Sequence, residues 1–128
     1  MDLVAGDIVR FDSAQAGHTK YHICVLACDE EGKSACFLFL NSRAGWKGEF
    51  VLNNDDIPCI PPSKTGLSVV SFSTLVRQNA KQLKLYRAEK IGRLSSAIAR
   101  KLEDFAKTVP TLNAAERKIV LKGLSQIR

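Results

Sequence analysis

Two apolar runs separated by six mostly charged residues most constrain how this chain can fold. The runs cover residues 21–28 and 35–40, and the residues between them include Gly32, which can adopt a positive φ in a tight turn. Short runs that are apolar at nearly every position are typical of strands covered on both faces. We therefore predict an antiparallel hairpin at the centre of a sheet, with its turn at residues 29–33.

Shorter apolar segments on either side of this hairpin predict the remaining strands. They lie at residues 6–11, 49–52, 67–72 and 82–86. Polar segments at residues 12–20 and 41–48 predict loops, and residues 53–66 predict irregular backbone because they contain three of the four prolines. Residues 73–78 predict a single helical turn.

The apolar periodicity becomes helical beyond residue 95. One predicted helix face carries Ile98, Leu102, Phe105 and Val109, at spacings of four, three and four. Ser95 or Ser96 can cap the start of this helix, and Pro110 follows its end. Asn113 and Glu116 then form a capping box that starts a last helix. Its apolar stripe is Val120, Leu121, Leu124 and Ile127.

These elements place the chain in the mainly β or α+β class. Five to six short strands followed by helices predict a small, partly open β-barrel with C-terminal helices covering one side. We predict one compact unit over residues 1–110, with residues 111–128 as an additional helix packed on the same domain.

The distribution of charge is more informative than the net charge of +6. Residues 1–60 hold five Lys/Arg against nine Asp/Glu, whereas residues 61–128 hold fourteen against four, which gives −4 and +10. A basic half favours an anionic partner, either nucleic acid or an acidic polypeptide. A solvated basic helix surface is the alternative interpretation.

Several classes of protein are excluded by what the sequence lacks. No apolar stretch is long enough to span a bilayer, and the N-terminus has acidic residues where a signal peptide has basic ones, so we expect a cytoplasmic protein without membrane contact. No glycine-rich phosphate loop or hydrolase elbow is present. The spacing of His18, His22, Cys24 and Cys28 fits no common zinc motif, so we expect neither metal nor other cofactor.

Three segments resemble the PemK/MazF toxin family. The opening Gly6-Asp7-Ile8-Val9 is similar to the start of that family, and Asn41-Ser42 begins a polar loop after a matching apolar hairpin. The segment from Lys90 to Ser95, Lys-Ile-Gly-Arg-Leu-Ser, resembles the family segment that leads into the closing helix, preceded by a matching stretch at residues 71–77. The resemblance covers roughly residues 5–108 and leaves the remaining C-terminal residues unexplained.

This resemblance implies a fold, an activity and partners. The implied fold is an SH3-like barrel, usually in a homodimer. The implied activity is metal-independent cleavage of single-stranded RNA by the toxin component of a type II toxin–antitoxin system. The implied partner is a cognate antitoxin protein that neutralises the toxin by lying across the RNA groove.

The candidate catalytic residues follow from what metal-free RNA cleavage needs. A base must take the 2′-hydroxyl proton, an acid must protonate the leaving 5′-oxygen, and a cation must stabilise the phosphorane. His18 or His22 could transfer protons, Lys20 or Arg43 could stabilise the phosphorane, and Ser42 could hydrogen-bond a phosphate oxygen. The predicted catalytic set is His18, Lys20, Ser42 and Arg43. The loops that carry it are predicted to lie at one end of adjacent strands.

Four further residues are predicted to bind RNA: His22, Trp46, Lys47 and Arg77. Trp46 could stack on a base. His22 could equally be an ordinary strand residue, Trp46 a dimer or core anchor, and Ser42 a turn residue. Residues 17–22 contain neither the Arg nor the Pro that the family places there.

Three functions therefore stay open. The first is a toxin-type endoribonuclease. The second is a non-catalytic SH3-like module that binds nucleic acid or protein and has lost the active-site Arg. The third is a scaffold whose terminal helices dock a partner.

Overall fold

The chain folds as a six-stranded antiparallel sheet with helices packed against it, in a computed structural model that describes residues 2–12, 19–27 and 33–128. The strands are β1 (Asp7–Asp12), β2 (Thr19–Leu26), β3 (Ser34–Asn41), β4 (Glu49–Asn53), β5 (Leu67–Asn79) and β6 (Glu89–Arg93). The helices are α1 (Ala80–Leu85), α2 (Ser96–Thr108) and α3 (Ala114–Ser125), with a 3₁₀ turn at Asn54–Asp56. The predicted α+β class is confirmed. Within the described residues, no helix is both long and apolar enough to cross a bilayer.

The strand order is β4-β5-β3-β2-β1-β6, so the two paired strands of the predicted hairpin, β2 and β3, do lie at the centre of the sheet. Most of its predicted turn, at residues 29–33, lies outside the described residues. The sheet does not close into the expected SH3-like barrel. In the described part of the chain, β4 pairs with β5 and β6 pairs with β1, and the two edges do not pair with each other. One apolar face is covered by α2 and α3 instead of being enclosed by strands.

The first core lies between the sheet and the two C-terminal helices. It includes Ile23 and Val25 from β2, Leu102 from α2, and Val120 and Leu124 from α3, all buried. Residues 111–128 therefore belong to the main core. A Cβ atom on Gly123 would lie 2.0 Å from the carbonyl oxygen of Val25, so only glycine permits this approach of α3 to β2.

Two arginines join α2 and α3, because each donates hydrogen bonds to carbonyl oxygens at the C-terminal end of the other helix. Arg117 of α3 donates to the carbonyl oxygens of Val109 at 2.8 Å and Leu112 at 3.0 Å, and also to that of Ala106. Arg100 of α2 donates to the carbonyl oxygen of Leu124. The last carbonyls of a helix lack intrahelical partners and carry partial negative charge, so a cation there stabilises both helices.

The helix starts confirm the sequence-based capping predictions. Ser95 is the N-cap of α2 and accepts from the amide of Ile98 at 3.2 Å. Asn113 and Glu116 form the predicted capping box, with side chain to backbone distances of 2.8 and 3.0 Å.

The segment after the predicted strand at residues 67–72 differs from expectation. Residues 73–78 do not form a helical turn, because β5 continues to Asn79 opposite Ser34 of β3. Residues 82–86 do not form a strand, because α1 begins after Asn79. Asn79 and Gln82 form a reciprocal capping box at 2.8 and 2.9 Å, which is a helix-start signal of the same kind as at Asn113.

A second, smaller core lies on the opposite face of the sheet. It contains Val9, Phe11, Cys24 and Phe37, covered by Leu83 of α1 together with the N-terminal segment. Because α1 has only six residues, it covers one part of this face. Part of the candidate site lies on the rest of this face.

Candidate nucleic-acid interface

Two of the predicted catalytic residues, Lys20 and Ser42, line one cavity of about 140 Å³. Lys20 lies near the start of β2 and Ser42 directly after the end of β3. Antiparallel pairing of His22 with Phe39 brings these two strand ends side by side, as the hairpin prediction requires. The cavity is lined by Thr19, Lys20, Tyr21, Leu40, Asn41, Ser42, Asn54, Ile60, Pro61, Ser63, Leu67 and Ser68.

A hydrogen-bond network from distant segments holds the backbone at Ser42. The amide oxygen of Asn54 accepts from the backbone amide of Ser63 at 2.9 Å, and the Ser63 hydroxyl lies 3.1 Å from that of Thr65. The Thr65 hydroxyl donates to the carbonyl oxygen of Ser42. The Ser42 amide donates to the side chain of Asn41 at 2.9 Å. The loop position of Ser42 is thus fixed by residues that the sequence did not single out.

Trp46 and Lys47 line a second depression, of about 600 Å³, next to the first. The carboxylate of Glu49 accepts from the backbone amides of Gly45 and Trp46, each at 2.8 Å, and so ties the loop to the start of β4. Trp46 is 65% exposed. The depression is lined by Phe39, Asn41, Trp46, Lys47, Glu49, Ser71, Ser73, Thr74, Val76 and Thr111.

A third depression, of about 400 Å³, continues from the second and includes His22 and Arg77. Its lining residues are Phe11, His22, Phe39, Thr74, Leu75, Val76, Arg77, Gln78, Gln82 and Tyr86. The second and third depressions share Phe39, Thr74 and Val76, and the first and second share Asn41. We call the three together the furrow. Its third depression lies on the face that α1 partly covers, whereas its first depression borders the first core through Leu40 and Ile60.

Lys20 lines the first depression and also contacts an aromatic ring that lines the other two. Its ammonium nitrogen lies 5.6 Å from the centroid of the Phe39 ring, a distance at which a cation is attracted to an aromatic face. Phe39 lines the second and third depressions, whereas Lys20 lines the first. One positive charge therefore lies where the depressions join.

His22 lies inside the second core and is only 2% exposed. Its ring stacks on Phe11 with centroids 3.7 Å apart, and its buried Nδ1 has no hydrogen-bond partner among the described residues. Burial lowers the pKa of His22 to about 4, although the backbone carbonyls of Val9 and Lys20 oppose this shift. At neutral pH the ring is uncharged. His22 thus forms part of the furrow wall and offers no cation to a phosphate.

The remaining predicted residues divide between the furrow and the surface beside it. Arg43 is exposed and adjoins Ser42 on the loop after β3. Arg77 is exposed at the third depression, where its guanidinium also lies 3.4 Å from the sulfur of Cys36. His18 lies outside the described residues.

Thr111 is a furrow residue that sequence reasoning missed. Its hydroxyl donates to the carbonyl oxygen of Phe72 at 2.8 Å, and a Cβ on Gly48 would lie 2.3 Å from that hydroxyl oxygen. Gly48 also has a φ of +75°. The connection between α2 and α3 therefore packs against the loop that carries Trp46. Nothing in the local sequence around Thr111 signals a contact with residues so far away.

The chemical character of the furrow is cationic, aromatic and hydroxyl-rich. Among the residues that the structure describes, no group of His, Cys, Asp or Glu side chains is arranged to hold a metal ion. Comparison of the sequence with protein-family models and with characterised proteins finds no match.

Proposed function

We propose that this protein binds single-stranded RNA along the furrow and cleaves it without a metal ion, as a PemK/MazF-type endoribonuclease. The observation that carries the proposal is that Lys20 and Ser42, from two different strand ends, line one cavity beside an exposed tryptophan. A cation and a hydroxyl in one cavity, with a stacking surface in the adjoining depression, suit a sugar–phosphate chain with unpaired bases.

Binding is supported by the charges and the aromatic side chain at the furrow. The cationic side chains in or beside it are Lys20, Arg43, Lys47 and Arg77. The carboxylate of Glu49, the acidic residue nearby, is already engaged by two backbone amides. Stacking of a base on Trp46 would contribute about 1–3 kcal/mol.

Cleavage requires attack of the ribose 2′-oxygen on phosphorus and loss of the 5′-oxygen, which leaves a 2′,3′-cyclic phosphate and a 5′-hydroxyl. Lys20 and Arg43 are the candidates to stabilise the phosphorane, and Ser42 the candidate to hydrogen-bond a phosphate oxygen. A base takes the 2′-hydroxyl proton and an acid returns one to the 5′-oxygen. His18 is the candidate for proton transfer, since His22 is buried and neutral.

A non-catalytic single-stranded nucleic-acid-binding module is the second candidate. The specific observation in its favour is the burial of His22, which removes one of the two predicted proton-transfer groups from the furrow surface. The features that support binding are unchanged by this burial. The two functions therefore differ only in whether the bound RNA is cleaved.

The test is incubation of the purified protein with a long, weakly structured RNA in the presence of a chelator. Discrete fragments ending in cyclic phosphate are expected, and Lys20→Met should slow cleavage by about 10²–10³-fold. Trp46→Ala should weaken RNA binding by roughly tenfold, whereas Lys101→Ala on α2 should change neither property. Intact RNA with a salt-dependent mobility shift would establish the second candidate, and an absence of binding would overturn both.

The same proposal makes the protein a cytoplasmic, homodimeric toxin with a cognate antitoxin. Expression should arrest growth, and co-expression of the antitoxin should restore it. Ser42→Ala should relieve the arrest, with Ser96→Ala, at an exposed serine of α2, as the matched control. Equal arrest by both variants would remove the Ser42 loop from the toxic mechanism.

A further inference from the structure

A separate groove lies between the N-terminal segment, the end of β2 and one side of α3. It has a volume of about 520 Å³ and shares no lining residue with the furrow. It is lined by Leu3, Val4, Ala5, Val25, Leu26, Ala27, Lys118, Ile119, Lys122 and Gln126. We call it the α3 groove.

The floor of the α3 groove is apolar. Leu26 and Ile119 are half-buried and pack against the first core, so they present apolar surface without being covered. Val4 is 52% exposed at the same place. An apolar groove that remains accessible to water favours an apolar partner surface.

The α3 side of the groove is positively charged. Lys118 and Lys122 are exposed and stand four residues apart, which puts them on one face of α3. Neither has a carboxylate within ion-pair distance among the described residues, whereas Arg100 and Lys107 on α2 have Glu103 and Asp104. The two lysines are therefore available to an external anionic partner.

We propose that the α3 groove docks a segment of another protein that is apolar on one face and acidic beside it. The apolar face would cover Leu26 and Ile119, and carboxylates one helical turn apart would meet Lys118 and Lys122. RNA is the less suitable occupant, because the described residues that line the groove include no aromatic ring on which a base could stack. This site is independent of the proposed RNA furrow.

The test uses a synthetic peptide of about 15 residues with Leu at helical spacing and Glu between, and a second peptide with Lys replacing Glu. Binding is followed through backbone amide shifts in the full-length protein. The acidic peptide should shift α3 and residues 3–5, and Lys118→Glu/Lys122→Glu should weaken it by about tenfold or more while admitting the basic peptide. Lys64→Glu/Lys101→Glu is the matched control and should leave acidic-peptide affinity unchanged.

Several results would overturn the proposal. One is the absence of shifts at peptide concentrations on the order of 1 mM, and another is equal binding of both peptides. Loss of RNA binding in Lys118→Glu/Lys122→Glu would assign the lysines to RNA, and concentration-dependent self-association through α3 would assign the groove to a second copy. The chain's own acidic residues follow Ala27 in the sequence. If Glu30→Gln/Glu31→Gln raised the affinity for the acidic peptide by about tenfold, Glu30 and Glu31 would themselves be the occupant of the α3 groove.

Discussion

The buried carboxylate of Asp7 accepts a hydrogen bond from the guanidinium of Arg93 at 2.7 Å, across 86 residues of sequence. It also accepts from the amide of Val4 at 2.8 Å and lies 3.4 Å from the ammonium of Lys90. The amide of Leu94 donates to the carbonyl oxygen of Gly6 at 2.8 Å. Two of the three segments that resemble the PemK/MazF family, at residues 6–9 and 90–95, are thus neighbours that join β1 to β6, outside the furrow.

Asp7→Ala should lower the free energy of unfolding by about 2–3 kcal/mol, because it removes a buried acceptor of charge-assisted hydrogen bonds and leaves the Val4 amide without its partner. Urea denaturation measures this change. Glu89→Ala is the control, since Glu89 pairs with Arg10 at the surface and should cost less than about 1 kcal/mol. Equal losses in the two variants would contradict a structural role for Asp7.

Gly123→Ala should destabilise the protein by several kcal/mol, although alanine is the better helix former by about 1 kcal/mol. The added Cβ would lie 2.0 Å from a backbone carbonyl oxygen of β2, which cannot rotate away as a side chain can. Thermal or urea unfolding measures the effect. Ala115→Gly, at an exposed position of α3, is the control that measures the effect of helix propensity alone. An increase in stability in Gly123→Ala would show that α3 does not pack this closely against β2.

The protein should lose stability as the pH falls from 6.5 to about 4, because burial lowers the pKa of His22 to about 4. The folded state binds fewer protons than the unfolded state in this window, so the contribution is fully present above pH 6.5 and is lost on acidification. A shift of this size corresponds to roughly 3 kcal/mol.

His22→Phe should remove this part of the pH dependence, since phenylalanine can stack on Phe11 without titrating. Urea denaturation at several pH values measures the difference between the two proteins. Carboxylates titrate equally in both and cancel in the comparison. Parallel profiles would contradict the assignment to His22.

Glu49→Ala should release the loop that carries Trp46, because two backbone amides lose their acceptor. Trp46 is the single tryptophan, so intrinsic fluorescence anisotropy reports on this loop alone. Anisotropy should fall in Glu49→Ala, and should fall less in Glu49→Gln, whose amide oxygen can still accept. Asp55→Ala, an exposed acid beside β4, is the control. Unchanged anisotropy in Glu49→Ala would contradict the restraint.

Local signals predicted much of the fold correctly. The hairpin of β2 and β3 and the caps at Ser95 and Asn113 depend on residues within a few positions of each other. The strand prediction at residues 82–86 missed a local capping signal, whereas the error at residues 73–78 lies where a partner strand decides the outcome. β5 stays extended to Asn79 because β3 pairs with it along that length. This pairing cannot be predicted from the sequence of β5 alone.

The candidate site was only partly predictable for the same reason. That Lys20 and Ser42 meet follows from the antiparallel hairpin, which the sequence specifies. That His22 is buried depends on Phe11 and Phe37, which come from the two neighbouring strands. The contributions of Asn54, Thr65 and Thr111 depend on hydrogen bonds between segments far apart in the chain.

The sequence by itself determined the order and type of most elements, the helix caps and the basic C-terminal half, because periodicity, capping and charge are local properties. Only the tertiary structure decided that the sheet stays open, that α3 joins the main core, and which polar residues line the furrow. These outcomes depend on which surfaces exclude water together, and that is a property of segments brought together by folding.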